Sequence, residues 1–143
     1  MKKLRWLKLA LIYLERGRRK QMKKLISMEL EGLPPTVNHL YRTFRNRRYK
    51  TAKAQAYQDT VSGKLRHEWQ RKPPYLEPIE LRITFITKDK RRWDIDNRVK
   101  ALQDCLSMAG IIKDDKQVNI LHVERHAGKK TATYIDVYRS GEE

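Results

Sequence analysis

Ile79-Glu80-Leu81-Arg82-Ile83-Thr84-Phe85 alternates apolar and polar residues without a break, and Trp93-Asp94-Ile95-Asp96-Asn97-Arg98-Val99-Lys100 follows one charged loop later. The first stretch has the period of two that a strand with one buried face requires. After the loop the period changes. Ile95, Val99, Leu102 and Leu106 mark one face of a helix, and Gly110 is placed to end it as the C′ residue. Asp114-Asp115 then lies in a turn before a strand at roughly 117–125, whose phase slips between Ile120 and Leu121 and so predicts a bulge.

Working outward, Leu25 to Leu30 sets Ile26, Met28 and Leu30 against Ser27 and Glu29, a short strand, and Gly32-Leu33-Pro34-Pro35 turns the chain. Residues 41–50 are basic with interleaved aromatics and show no clear period. Thr51 caps a helix in which Tyr57, Val61, Leu65 and Trp69 recur every four residues, and Pro73-Pro74 forbids its continuation. Ala127-Gly128-Lys129-Lys130 turns into a last strand, Thr131 to Tyr138. The order β-α-β-α-β-β predicts a single α/β domain over 25–143, with a mixed, mostly antiparallel sheet packed by two helices.

The chain has 143 residues, enough to bury one core, and its 33 lysines and arginines against 17 acids give a formal net charge of +16. Such an excess fits nucleic acid, a ribosome or an anionic membrane surface. One cysteine, Cys105, rules out an intramolecular disulfide framework and fits a reducing cytoplasm; it falls on the apolar side of the second helix, a core position. Residues 1–24 read as a basic helical extension with Leu4, Leu7, Leu11 and Leu14 at helical spacing. An appendage, sequence upstream of a natural start at Met22, or a helix on membrane or DNA all fit that segment. Nothing reaches the roughly 20 apolar residues of a membrane helix, and no membrane partner is expected.

An acidic cluster in so basic a chain points to a divalent cation. Asp94 and Asp96, two residues apart at the entrance to the second helix, can point the same way, and a short connection would return Asp115 beside them. Carboxylates suit Mg²⁺, with Mn²⁺ as a substitute, and such ions activate water and stabilise a leaving oxygen in phosphodiester hydrolysis. Lys100, one helical turn after Asp96, would neutralise charge on the phosphate or hold the attacking water. The same residues also have a purely structural reading: Asp96 as N-cap, Asp114-Asp115 as turn chemistry, Lys100 as a solvated charge. His122 and His126, four apart on a strand, stand too far apart for one ion, and His39 and His67 stand alone.

Arg91-Arg92-Trp93-Asp94-Ile95-Asp96-Asn97-Arg98-Val99-Lys100, then Asp104, Gly110 and Asp114-Asp115-Lys116-Gln117-Val118, resembles the signature of the RusA family of Holliday-junction resolvases, with Leu33-Pro34-Pro35-Thr36-Val37-Asn38 similar to its upstream segment. The resemblance spans about residues 25–138; Trp93 and the first twenty or so residues depart from it. It implies Asp94, Asp96 and Asp115 as Mg²⁺-binding catalytic carboxylates, Lys100 as the essential lysine, Asn97 and Gln117 in support, and a homodimer. It also implies a bacterial or phage enzyme of recombination and repair that resolves four-way junctions by paired nicks.

Phosphate contacts to branched DNA are expected from Arg42, Arg45, Arg47, Arg48 and Lys50, and from Lys88, Lys90, Arg91 and Arg92, with Tyr41, Phe44 or Tyr49 available to stack on a base. Two competing readings of the whole chain are a non-catalytic nucleic-acid-binding protein and a sugar transferase with a D-x-D metal site. The length argues against the second.

Overall fold

The structure, a computed structural model, describes residues 7, 8, 10, 11 and 23–140. Leu7 and Leu11 of the predicted leucine stripe are helical and exposed, while Leu4 and Leu14 lie outside the described residues. Among the described residues no helix is long and apolar enough to cross a membrane.

The alternating segments form β1 (Lys24–Glu31), β2 (Tyr41–Phe44), β3 (Arg47–Lys50), β4 (Ile79–Thr87), β5 (Val118–Ala127) and β6 (Ala132–Arg139). The segments with helical period form α1 (Ala52–Glu68) and α2 (Val99–Met108), with a single helical turn at Val37–Leu40 and 3₁₀ turns at Ile95–Arg98 and Asp115–Gln117. One sheet has the order β1-β6-β4-β5; β4 is antiparallel to β6 and parallel to β5. A parallel pair cannot be joined by a tight turn, and the chain makes the crossover through α2. The predicted α/β architecture and mixed sheet are what the chain adopts.

One face of the sheet carries Leu81, Ile83 and Phe85 of β4, beside Ile135 and Val137 of β6 and Ile26 and Leu30 of β1. Val61 and Leu65 of α1 and Leu102, Cys105 and Leu106 of α2 join them in one core cluster. Each fully buried Leu or Ile contributes roughly 1.5–3 kcal/mol, so this layer holds the crossover against the sheet.

Both helix ends follow from local chemistry. The Ile111 N–H donates to the Leu106 carbonyl at 3.1 Å and the Gly110 N–H to the Ser107 carbonyl at 3.1 Å, with Gly110 at φ +74°. That paired closure needs a left-handed residue, which glycine adopts without a Cβ penalty. The first helix stops at Glu68, five residues before Pro73. Gln70 and Arg71 turn left-handed there, at φ 58° and 53°, while the Trp69 indole N–H donates to the Lys72 carbonyl at 3.1 Å. The prolines therefore follow the stop and do not cause it.

Two details differ from the sequence expectation. The bulge in β5 lies at Asn119, between Val118 paired with Ile79 and Ile120 paired with Glu80, one residue earlier than the phase slip indicated. Residues 41–50, which show no period, form a two-stranded antiparallel hairpin apart from the main sheet. It stays almost wholly exposed, so no face had to be apolar and no alternation was imposed.

Leu102 is fully buried where α2 meets the sheet. Leu102→Ala should cost about 2–5 kcal/mol in urea unfolding; a loss under about 1 kcal/mol would mean that α2 is not packed as described.

Candidate active site

Trp93 anchors the acidic turn. Its ring meets Phe85 edge-on, with centroids 5.2 Å apart at 67°. The guanidinium of Arg98 lies 5.1 Å from the Trp93 ring centroid and that of Arg125 5.8 Å, and Arg125 also donates to the Trp93 carbonyl. Arg98 donates in turn to the carbonyl of Pro34, tying the Pro34-Pro35 segment to the turn. Trp93 is thus the pin that seats Asp94 on the sheet.

From this pin the chain enters the 3₁₀ turn, where the Asn97 N–H donates to the Asp94 carbonyl at 3.2 Å and the Val99 N–H to the Asp96 carbonyl. The Asp94 side chain caps nothing, and α2 has Arg98, not Asp96, at its N-cap. Among the described residues neither carboxylate has a hydrogen-bond or ion-pair partner. Both are exposed and line a shallow cleft with Arg92, Trp93, Ile95 and Arg125. The purely structural reading of Asp96 as an N-cap is therefore not met. Two bare acids beside two arginines stabilise nothing locally, which is the arrangement expected of groups kept for a ligand.

Asp115 is brought beside the start of α2, as the sequence suggests, but it meets Lys100. The Lys100 Nζ donates to Asp115 Oδ2 at 2.7 Å and lies 3.0 Å from Asp104 Oδ1, one turn along the helix. The hydrogen bond to Asp115 is the largest of the influences that raise the Lys100 pKa, followed by that to Asp104. The Asp115 pKa is held below the usual carboxylate range, first by Lys100 and then by Asp114. Lys100 is thus no free surface charge: two of its three ammonium protons are directed at carboxylates.

Asp114 takes the structural part. It accepts from the Lys116 N–H at 2.9 Å and forms a capping box with Gln117. The Gln117 Oε1 accepts from the Lys113 and Asp114 N–H groups, while its Nε2 donates to the carbonyls of Tyr75 and Glu77. Gln117 locks the turn that presents Asp115. Behind the site, Tyr57 Oη and Arg98 Nε are buried without hydrogen-bond partners, and burial lifts the Tyr57 pKa above its ordinary value. Cys105 is fully buried, and burial, with Asp104 as a lesser cause, pushes its thiol up to about 12.

Among the described residues no three acids, histidines or cysteines converge on one point. Asp94 and Asp96 form one open pair, and Asp115 stands with Lys100. Mg²⁺ typically takes one or two protein carboxylates and keeps several waters beside a substrate phosphate. The open pair fits that requirement, although a closed three-carboxylate cage is not formed.

The basic residues divide. Arg42, Arg45, Arg47, Arg48 and Lys50 all lie on the hairpin β2–β3. In the second group Arg92 borders the acid cleft, whereas Lys88 faces a separate depression with Lys64 and Lys130. Arg91 is tied to Asp89, through its Nε at 3.1 Å from Oδ2 and its N–H at 2.9 Å from Oδ1. His122 pairs with Glu80 at 3.2 Å and His126 with Glu124 at 3.1 Å, so the two histidines hold different partners. Sequence reasoning quoted Asp104 and Arg98 within the motif without giving either a role, and it missed Arg125. The i,i+4 spacing of Lys100 and Asp104 signalled the first, and the shared parity of Arg125 with Leu121 and Val123 signalled a charge on an otherwise apolar side of β5. Arg98 carried no signal, since its partners Pro34 and Trp93 are assembled only by the fold.

The sequence profile described as endodeoxyribonuclease RusA matches residues 31–138. The chain belongs to the RusA family. Its relatives include the crossover junction endodeoxyribonuclease RusA of Escherichia coli K12, 38% identical over 85 residues, which cover 59% of this chain and 70% of that one. The enzyme of the same name from Enterobacteria phage 82 is 38% identical over 90 residues, with the same coverage.

The lowered pKa of Asp115 adds stability above its unfolded value of about 3.9, lost as pH falls through the folded value; the raised pKa of Lys100 adds stability below about 10.4, lost as pH rises through the folded value. Both groups are more than a third exposed, which limits the pair to about 1 kcal/mol or less. A double-mutant cycle of Lys100→Met and Asp115→Asn should show that coupling near neutral pH and lose it as acidification protonates Asp115. Undiminished coupling in acid would mean that the contact is not ionic.

Proposed function

We propose that this chain is a divalent-metal-dependent endonuclease that resolves four-way DNA junctions by paired nicks, in recombination and repair. The observation that carries the reading is the pair of unpartnered carboxylates, Asp94 and Asp96, in a cleft lined by Arg92 and Arg125. Membership of an endodeoxyribonuclease family, and the crossover-junction names of its relatives, supply the substrate. Capping and turning account for Asp114 and leave Asp94 and Asp96 without a structural task.

Asp94 and Asp96 would hold Mg²⁺, or Mn²⁺ in its place, and the ion would supply an activated water and neutralise charge at the cleaved phosphate. The protein's own groups do the positioning. Arg92 and Arg125 draw a phosphate to the cleft against the repulsion of the two acids. Lys100 keeps one N–H uncommitted on a half-exposed side chain, and that donor would stabilise a developing oxyanion. Asp115 and Asp104 fix the direction of that ammonium, and Asp115 is also available as a further metal ligand if Lys100 shifts to the phosphate. A C₂ homodimer would present two such sites to strands related by the junction's own two-fold axis.

The test incubates the protein with a synthetic four-way junction and a matching linear duplex, with and without Mg²⁺. Paired, metal-dependent nicks near the crossover are expected in the junction only; tight binding with no nicks under any divalent ion would favour the non-catalytic reading. Asp96→Asn should keep junction affinity within a few-fold and lower the cleavage rate by at least about 10²-fold. Near-normal cleavage by that variant would remove Asp96 from the site.

A further inference from the structure

Strands β2 and β3 pair with each other and with no other strand, so the hairpin stands off the sheet. Its base is fixed. The Thr51 N–H donates to the Leu40 carbonyl at 2.9 Å, and Leu40, with Tyr41 against it, packs on Ala54 of α1 and Ala101, the neighbour of Lys100. The ribbon is therefore rooted on α2 next to the residue that follows Lys100.

The register sorts its side chains. Arg42 pairs with Tyr49 and Phe44 with Arg47, which puts two aromatics and two arginines on one face. Phe44 is 64% and Tyr49 49% exposed, among the most exposed large apolar residues described. A single exposed aromatic is ordinary. Two on one face of a free ribbon, flanked by arginines and with no acid anywhere between Glu31 and Asp59, form a surface suited to a polyanion that carries flat rings. The tip adds to this. Arg45 and Asn46 occupy the two turn positions at φ 50° and 61°, and the Arg45 guanidinium lies over the Phe44 ring at 5.3 Å from its centroid. Two-residue hairpin turns favour Asn-Gly or Gly-Gly, so this turn keeps a cation at a position where glycine would be less strained.

We propose that the β2–β3 hairpin is a stacking arm that covers base faces exposed at the branch point of the DNA, with Phe44 and Tyr49, and sets Arg42 and Arg47 on the flanking phosphates. The inference rests on the branched-DNA reading and deepens it: preference for branched over linear DNA resides in this arm, apart from the acids that cut. In a continuous duplex every base pair is stacked on both sides and offers only its edges, whereas a branch point interrupts the stack and exposes base faces that an aromatic can cover.

The experiment measures dissociation constants of the full chain for a four-way junction and a matching duplex at one fixed salt concentration, with divalent ions chelated so that nothing is cut. Phe44→Ala/Tyr49→Ala should weaken junction binding by roughly tenfold or more and leave duplex binding within about twofold, with an unchanged thermal unfolding curve. Phe44→Trp should retain the junction preference, and Phe44→Leu, apolar but without a π face, should lose it. An equal loss on both DNAs, or Leu serving as well as Phe, would overturn the proposal, as would a wild type that does not prefer the junction. A wild type that prefers the junction here but nicks nothing with Mg²⁺ would sink the nuclease reading and leave the stacking arm standing.

Discussion

An ammonium group shared between carboxylates controls how the acids of this site are distributed. The crossover from β4 to β5 carries six aspartates, at 89, 94, 96, 104, 114 and 115, within 30 residues. Left to themselves they would repel one another and scatter. Lys100 takes Asp115, with Asp104 steadying it from the next turn, and Asp114 is spent on closing its own turn. Asp94 and Asp96 are left over, with Trp93 pinning their backbone to the sheet. The site is thus built by subtraction: every acid that the fold can satisfy is satisfied, and the two that remain face the arginines of the cleft.

The positive charge has a matching division of labour. Under the proposed function the cleft arginines would meet a single phosphate, whereas those on the hairpin form an extended basic surface with its own aromatics. Arg91 and Lys88, which the sequence places in the same cluster as Arg92, are held by Asp89 or face another depression. A run of like charge in sequence therefore says less about a shared target than the strand register does.

The α/β order, the two helices and the core positions of Cys105 and Leu102 were legible because burial imposes a period that the sequence must show. The acidic motif was legible for a different reason: its spacing matches that of a known family, beyond anything D-x-D chemistry alone would specify. The hairpin was not legible, because an exposed ribbon imposes no alternation. The alternative reading of Asp96 as a cap fails because the 3₁₀ turn moves the start of α2 three residues on, to Val99, with Trp93 packed against Phe85 across the fold. Residues that act through long-range contacts, such as Arg98 on Pro34, leave no local trace.

The central claim is that Asp94 and Asp96 are free carboxylates kept for a divalent ion while Asp115 is held by Lys100. Paramagnetic broadening of backbone amide signals on titration with Mn²⁺ tests it directly, without DNA and without turnover. The account predicts selective loss of signals from about residue 92 to 97, abolished in Asp94→Asn/Asp96→Asn. Broadening that survives in that variant, or that centres on Glu80 and His122, would contradict it.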